Sequence, residues 1–271
     1  MPYIFVGGHT IEFEWIEAKS RDAQVIVFLH EGLGSLSMWK DFPARLCAAT
    51  GCRGLVYSRY GYGRSDLLER PRDPRFMHDE ATMALPQLLD ALDVKSPILF
   101  GHSDGGSIAL LHAALGRGAD RVDSGNRAAR AAIVMAPHVF VEDLSISSIK
   151  AARRAYHTAD LRSRLARYHD DPDSAFLGWN DIWLHPDFRA WTIEDALPRI
   201  RCPILAMQGV DDEYGTMEQI ERIARGATST RVALVRIPDC GHSPHRDQPQ
   251  SVIEEVLRWL PTLAPSPPLA R

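Results

Sequence analysis

Six short apolar runs, each rich in Val, Ile and Leu, recur along the chain and most constrain its fold. They span residues 24–30, 53–59, 97–101, 131–137, 203–209 and 231–238. Runs this short and this continuously apolar are typical of strands buried on both faces of a sheet. Helix-forming stretches such as residues 107–115, SIALLHAAL, lie between them. This alternation predicts an α/β fold with a mostly parallel central sheet and helices on both faces.

Two further strands are expected before the first run, which brings the sheet to about eight strands. Tyr3–Val6 and Thr10–Glu17 alternate apolar and polar residues on either side of Gly7-Gly8. This pattern predicts an exposed antiparallel hairpin at the edge of the sheet.

Helical periodicity is clear in residues 79–92, where Met83, Leu88 and Leu92 recur at roughly helical intervals. Such spacing places the three side chains on one face. We therefore expect a helix there.

The alternation of strands and helices stops between residues 137 and 200, which contain only helical patterns. We predict a helical cap over 137–200, a core domain formed by 1–136 and 201–262, and a Pro-rich C-terminal tail over 263–271. Residues 116–127 are expected to form a loop.

The predicted cap is rich in aromatic residues that could cover an apolar pocket. We assign Trp179, Trp183 and His185 of this segment to the substrate pocket, together with His30, which follows the first apolar run.

Composition excludes several function classes. The 271 residues carry 31 Lys and Arg against 35 Asp and Glu, a net charge of −4, so no basic field attracts nucleic acid or an anionic membrane. No signal peptide or membrane-spanning run is evident, and the four cysteines form no C-x-x-C pair. We expect a cytoplasmic protein with reduced thiols and a small-molecule partner; its oligomeric state stays open.

The stretch LFGHSDGGS, residues 99–107, predicts a nucleophile. Ser103 has Gly101 and Gly105 at minus two and plus two, directly between a strand and a helix. A turn this sharp needs residues without a Cβ atom, and it raises the serine Oγ above the edge of the sheet.

A serine hydroxyl needs a base, and that base needs an acid to orient it. His242 follows the last apolar run and is the best candidate for the base, with His245 as the alternative. Asp211 and Asp212 follow the preceding run, and position alone hardly separates them.

Two backbone amides are needed opposite the serine to bind an oxyanion. Asp104 N–H can supply one, and the glycine-rich turn that contains Gly32 and Leu33 can supply the other. The remaining glycine-rich stretches, GYGRSD and GLGSLS, lack the features of nucleotide-binding loops. We expect neither a cofactor nor a bound metal.

From about residue 20 to 260, the chain resembles the α/β-hydrolase superfamily. The resemblance rests on LHEGLGS, YSRYGYGRSD, GHSDGG, QGVDDEYG and DCGHSPH, and on the order nucleophile, acid, histidine. It implies a G-x-x-D turn counted from Gly209, which favours Asp212 over Asp211 as the acid. It also implies that the cap covers the active site. One departure is Glu31, where many relatives have glycine, and we expect its carboxylate to point away from the pocket and to pair with a cation or an amide.

The reaction expected from these residues is cleavage of a small, mainly apolar ester-type substrate through an acyl-enzyme, with carboxylic ester hydrolysis preferred. The same fold could support a C–C bond (vinylogous diketone) hydrolase, a cofactor-free haloperoxidase or an acyltransferase. A non-catalytic ligand-binding protein is the alternative from a different class.

Overall fold

The structure, a computed structural model, describes residues 2–20, 22–116 and 128–263. Eight strands form one sheet in the order β1-β2-β4-β3-β5-β6-β7-β8. They are β1 Tyr3–Val6, β2 His9–Ile16, β3 Val25–Leu29, β4 Arg53–Tyr57, β5 Ile98–His102, β6 Ala131–Met135, β7 Ile204–Gly209 and β8 Val232–Ile237. The strands from β3 to β8 are parallel to one another, so the predicted α/β class and the strand count are confirmed. Most of the loop expected at 116–127 and of the tail at 263–271 lies outside the described residues.

The hairpin at the start of the sheet is antiparallel, as predicted. Gly7 and Gly8 both have positive φ, 62° and 89°, which the tight turn between β1 and β2 requires. Only β1 is an exposed edge, however. Strand β2 also pairs with β4 and buries Ile11 and Phe13, so the expectation that the whole hairpin is exposed was wrong.

Helices pack on both faces of the sheet. The α-helices of the described residues are α1 Phe42–Thr50, α2 Phe76–Asp79, α3 Leu85–Ala91, α4 Asp104–Leu115, α5 Asp143–Thr158, α6 Leu161–Leu165, α7 Pro172–Trp183, α8 Glu218–Gly226, α9 Pro244–Asp247 and α10 Pro249–Trp259. Short 3-10 helices occur at Leu36–Trp39, Pro186–Ala190, Leu197–Arg199 and Leu260–Thr262.

The helix predicted over residues 79–92 is interrupted by a π-helical turn at Glu80–Ala84. Leu88 is buried at 2% exposure, whereas Met83 is 52% exposed, so the two residues do not share one face of a regular helix. A π-turn contains more residues per turn than an α-helix, and it therefore rotates Met83 off the face that regular periodicity assigns to it.

Successive residues of the central strand β5 pack into different layers of the core. Leu99 packs into the layer that contains α4, and Phe100 packs into the layer that contains α1 and α10. Helix α4 is buried along almost its whole length. The strand and the helix on either side of Ser103 are therefore held rigidly by packing.

Between β6 and β7 the described chain forms α5, α6, α7 and 3-10 turns, and its β-type contact is a single bridge between Phe140 and Thr192. The segment is thus helical. The division of the chain into a core domain and a cap stays a prediction.

Each of the four cysteines is an unpaired thiol. Within the described ranges, no helix combines the length and the apolar composition needed to cross a bilayer.

Candidate active site

Ser103 occupies a strained turn between β5 and α4. Its backbone has φ 53° and ψ −121°, a conformation that residues with a side chain rarely adopt. A Cβ atom on Gly101 would lie 2.3 Å from the carbonyl oxygen of Gly105, and one on Gly105 would lie 2.0 Å from that of Leu29. The two glycines are therefore required by close backbone contacts, as the sequence pattern predicted.

His242 connects Ser103 to Asp212 through one hydrogen-bonded chain. Its Nε2 lies 2.9 Å from Ser103 Oγ, and its Nδ1 lies 2.8 and 3.0 Å from the two carboxylate oxygens of Asp212. Because a carboxylate accepts, Nδ1 carries the proton and Nε2 is free to accept the serine proton. The loops after β5, β7 and β8 bring the three side chains to the carboxyl edge of the sheet.

Asp212 is fixed by several donors. Its Oδ1 accepts the backbone N–H groups of Tyr214 and Gly215, at 2.8 and 3.1 Å, and its Oδ2 accepts from the side-chain amide of Gln208 at 2.6 Å. Asp211 is exposed on the surface. Of the two aspartates left open by position, the structure places Asp212 against His242.

The pKa values of this pair move in opposite directions. Burial alone would lower the pKa of His242, but the charge and hydrogen bond of Asp212, together with the charges of Glu213 and Glu31, offset burial and the pKa is raised. Burial alone would raise the pKa of Asp212, yet the contact with His242 and the bond from Tyr214 N–H lower it. Asp212 is thus ionised and stabilises a protonated His242.

The alternative base, His245, does not reach the serine. It is buried in α9, where its ring lies 4.8 Å from the Trp39 ring and 4.9 Å from the His102 ring, centroid to centroid. Burial holds its pKa well below the ordinary range, so the residue is a neutral part of the core.

The residues predicted to bind an oxyanion, Gly32, Leu33 and Asp104, line the same cavity as Ser103. A Cβ atom on Gly32 would lie 2.2 Å from the Trp179 indole, so any larger residue here would have to displace that indole. Arg59 holds the turn from behind, because its Nη2 donates to the carbonyls of Glu31 at 2.9 Å and His30 at 3.3 Å. The sequence does not indicate this role of Arg59, because it lies 27 positions beyond Gly32 along the chain.

The cavity has a volume of about 560 Å³. Trp179 and Trp183 line it, as predicted, and α5 and α6 add apolar side chains to its walls. Trp183 also donates its indole N–H to the buried carboxylate of Asp104 at 3.2 Å.

Two predicted pocket residues are not in the cavity. His30 is fully buried behind it, donating from Nδ1 to the Glu31 carbonyl at 2.7 Å and accepting the Arg59 N–H at Nε2 at 3.0 Å. His185 is exposed and caps the 3-10 helix Pro186–Ala190 by accepting the N–H of Asp187. Both ring nitrogens of His30 are occupied by backbone groups, so the residue stabilises a turn.

The carboxylate of Glu31 has two charged or titratable neighbours. Its carboxylate does pair with a cation, lying 3.7 Å from Arg246 Nη2, and also lies 3.4 Å from His102 Nδ1. The residue is also part of the cavity lining. Burial raises the pKa of Glu31, but the contacts with His102 and Arg246 outweigh burial and hold it well below the usual range.

His102 contacts the backbone of His242, a contact that was not predicted. Its Nε2 donates to the backbone carbonyl of His242 at 2.6 Å, while its Nδ1 faces Glu31. No local pattern reveals this contact, because the two residues are 140 positions apart.

Residues 2–20, 22–116 and 128–263 contain no cluster of three or more His, Cys, Asp or Glu side chains that could hold a metal ion. The chemistry that the described site itself offers is a serine hydroxyl activated by a histidine and an aspartate.

Comparisons with known proteins identify the family and several relatives. The model of the alpha/beta hydrolase family matches residues 26–255. A non-heme chloroperoxidase of Streptomyces lividans is 28% identical over 223 residues, which cover 71% of this chain and 76% of that protein.

Solved structures give the same fold. The enol-lactonase of Burkholderia xenovorans LB400 has a TM-score of 0.72 at 20% identity and covers 96% of this chain and all of its own. A thermophilic esterase of Thermogutta terrifontis has a TM-score of 0.69 at 19% identity and covers 97% of this chain and 98% of its own. Since the family model spans most of the residues and includes Ser103, Asp212 and His242, the chain belongs to the alpha/beta hydrolase family.

Proposed function

We propose that the protein is a serine hydrolase that cleaves small, mainly apolar carboxylic esters through an acyl-enzyme. The observation that carries this proposal is the hydrogen-bonded chain of Ser103, His242 and Asp212, which opens into a cavity of about 560 Å³. A cavity of this size suits a small organic substrate.

In the first half of the reaction, Ser103 Oγ attacks the ester carbonyl carbon while His242 Nε2 takes the hydroxyl proton. The alkoxide then leaves with that proton, and the acyl group stays on Oγ. In the second half, water attacks the acyl carbon and gives a proton to His242. The carboxylic acid departs as Ser103 regains its proton.

Asp212 holds the Nδ1 proton of His242 and stabilises the imidazolium that forms in each half. The oxyanion would be bound by the amide of Asp104 and by that of Gly32 or Leu33. Asp104 is the first residue of α4, so the positive end of a buried helix dipole adds to this stabilisation.

The walls of the cavity favour an apolar substrate. Ile149, Leu161 and Leu165 line it together with the two indoles, whereas the cationic side chains on its lining, such as Arg164, are largely exposed at its mouth. An uncharged acyl or alcohol group fits these walls better than a charged one.

Labelling with a fluorophosphonate probe tests the chemistry. We expect stoichiometric phosphonylation at Ser103, identified by peptide mass spectrometry, and none in Ser103→Ala. Folded protein that resists the probe would contradict the proposal. A series of p-nitrophenyl esters of increasing acyl length then tests the ester preference, and turnover of a vinylogous diketone alone would favour C–C bond hydrolysis instead.

A second candidate is supported by the chloroperoxidase relative. In this reaction hydrogen peroxide replaces water as the acceptor, so the acyl-enzyme yields a peroxy acid, which oxidises bromide to hypobromite. Bromination of monochlorodimedone with acetate, peroxide and bromide tests it, with Ser103→Ala as the control. Bromination that equals the Ser103→Ala background would exclude this second reaction.

A further inference from the structure

His169 lies in the helical segment between β6 and β7, after α6 and before α7, and is only 4% exposed. It does not line the active-site cavity, and the reaction as proposed above does not use it. Both nitrogens of its ring nevertheless contact the backbone of the core. Nδ1 accepts the N–H of Gly63 at 2.9 Å, and Nε2 lies 3.0 Å from the carbonyl oxygen of Leu33.

The bond from Gly63 determines which nitrogen of His169 carries the proton. A backbone N–H can only donate, so Nδ1 is unprotonated, and in the neutral ring the proton is on Nε2. Burial lowers the pKa of His169, although the bond to Leu33 opposes this effect, so the neutral ring is favoured. His169 therefore donates to the Leu33 carbonyl.

A second contact fixes the position of the ring. The N–H of Asp170 donates to the carbonyl of Gly63 at 2.9 Å, so both backbone groups of Gly63 are bonded to the helical segment. Gly63 belongs to the loop after β4 that also carries Arg59. His169 is thus anchored to a core loop while its Nε2 faces the glycine-rich turn.

The start of the glycine-rich turn is held by donors from the core. Three of them meet the carbonyl oxygen of Glu31: His30 Nδ1 at 2.7 Å, Arg59 Nη2 at 2.9 Å and the Gly34 N–H at 3.0 Å. In a planar trans peptide the N–H points away from the C=O. These donors therefore fix the direction of the Gly32 N–H, one of the two amides proposed for the oxyanion.

The other end of the turn is held by His169. The Leu33 carbonyl, which accepts from His169, belongs to the same peptide group as the Gly34 N–H, and that N–H donates to the Glu31 carbonyl. A chain of hydrogen bonds thus runs from the imidazole through two peptide groups to the Gly32 N–H, with every donor pointing the same way. Bonds in such a chain polarise one another, which makes the last N–H a stronger donor.

We propose that His169 is a positioning residue for oxyanion binding, which it supports through the Leu33 carbonyl and the glycine-rich turn. The proposal rests on the proposed function, because the oxyanion is that of ester hydrolysis. It gives the helical segment between β6 and β7 a part in the rate of the reaction as well as in the shape of the cavity.

Two substitutions separate the two bonds of the ring. His169→Asn can retain an acceptor near the Nδ1 position but is too short to reach Leu33. His169→Gln can place an amide donor near the Nε2 position but loses the acceptor for Gly63. We expect His169→Asn to lower kcat for p-nitrophenyl butyrate by about tenfold with little change in KM, and His169→Gln to keep kcat within about threefold of wild type.

An alkyl trifluoromethyl ketone measures oxyanion binding directly, because it forms a tetrahedral oxyanion adduct with an active serine. Its Ki should rise in His169→Asn by the same factor by which kcat/KM falls, and should stay near the wild-type value in His169→Gln. Each variant loses one hydrogen bond, so a merely structural contact would affect both alike. Equal losses in the two variants overturn the proposal.

The same measurements distinguish failure of this proposal from failure of the proposed function. Hydrolysis by wild type with an equal kcat in His169→Asn would overturn the role of His169 alone. Wild-type protein that neither hydrolyses the ester nor binds the ketone would overturn the proposed function and the role of His169 with it.

Thermal unfolding checks that both variants are folded. If His169→Asn is not, proton NMR of isotope-labelled wild type decides. Formation of the ketone adduct should move the Nε2–H signal of His169 and the amide signal of Gly34 downfield, since both belong to the polarised chain. Unshifted signals would overturn the proposal.

Discussion

At the scale of single residues, the ring of His242 is oriented by acceptors and donors at both nitrogens. Asp212 fixes the proton on Nδ1, and Nε2 is left to face Ser103 Oγ. The neighbouring Asp211 has the same charge but lies on the surface. Because Asp212 contacts His242 and Asp211 lies on the surface, substituting the two aspartates should affect activity differently.

Asp212→Asn should lower kcat by about 10⁴-fold, because an amide can favour the wrong tautomer of His242 while leaving the geometry intact. Asp211→Asn is the matched control and should keep kcat within about threefold, as surface substitutions usually do. Hydrolysis of p-nitrophenyl butyrate measures both. A larger loss in Asp211→Asn would show that the acid has been misassigned.

The pH dependence should report the raised pKa of His242. Only the neutral imidazole can accept the Ser103 proton, so kcat/KM should fall as the pH drops through this pKa, with a midpoint above the ordinary value of about 6.5. Burial holds the neighbouring His138 neutral by lowering its pKa to about 3, so that residue does not contribute near neutral pH.

In Asp212→Asn, the residual activity should show a midpoint at lower pH, because the carboxylate that raises the His242 pKa is gone. A wild-type midpoint below the ordinary histidine value would contradict the assignment of the base.

The residues of the nucleophile turn and the choice of His242 could be predicted because strand ends and glycine spacing are visible in sequence. The pocket role of His30 and His185 could not be judged in the same way. Each of these histidines lies next to a predicted element. What excludes each one from the pocket is the contact of its ring with backbone groups. The side-chain environment of a histidine depends on tertiary packing that sequence spacing does not encode.

At the scale of elements, β5 delivers two functional residues in succession. Ser103 follows its last residue, and His102, that last residue, donates to the carbonyl of His242. The strand thus holds the nucleophile and also positions the loop that carries the base. Glu31, from the loop after β3, contacts the other nitrogen of His102.

Replacing His102 should therefore affect the reaction more than substrate binding. We expect His102→Phe to lower kcat by about tenfold or more with little change in KM, since small displacements of a catalytic group are costly. His102→Gln, which retains a donor, should recover part of the loss. The control is His157→Phe, at an exposed position on α5. Equal kcat values in His102→Phe and wild type would rule out a positioning role.

The limits of sequence periodicity are also seen in elements. Six of the eight strands could be predicted because a strand inside a parallel sheet is apolar on both faces, and the two antiparallel strands because their residues alternate between apolar and polar. Met83 and Leu88 differ in exposure because the π-turn at Glu80–Ala84 changes the number of residues per turn, whereas regular helical spacing assumes a constant number.

At the scale of the whole molecule, the active-site cavity lies where the carboxyl edge of the sheet meets the helical segment between β6 and β7. Trp179 of α7 limits the active-site cavity most directly, because its indole is packed against Gly32. Membership of the family accounts for the position of the site at this sheet edge, whereas the size of the cavity depends on the helical segment between β6 and β7.

Trp179→Ala should widen the cavity above Gly32 and shift the acyl preference. We expect the kcat/KM ratio for p-nitrophenyl octanoate over acetate to rise by about tenfold, the order of discrimination that an apolar pocket provides. Trp259→Ala, at the end of α10 and outside the lining residues, should leave the ratio unchanged. An unchanged ratio in Trp179→Ala would show that α7 does not determine the acyl preference.

The sheet order has a consequence for synthesis of the protein on the ribosome. Ser103 is carried by the central strand, but His242 follows β8, the outermost strand at the opposite edge from β1 and the last to be made. A nascent chain that has completed β5 and β6 already contains the nucleophile without its base. The proposed hydrolytic activity can therefore arise only after β8 and the loop that carries His242 have emerged.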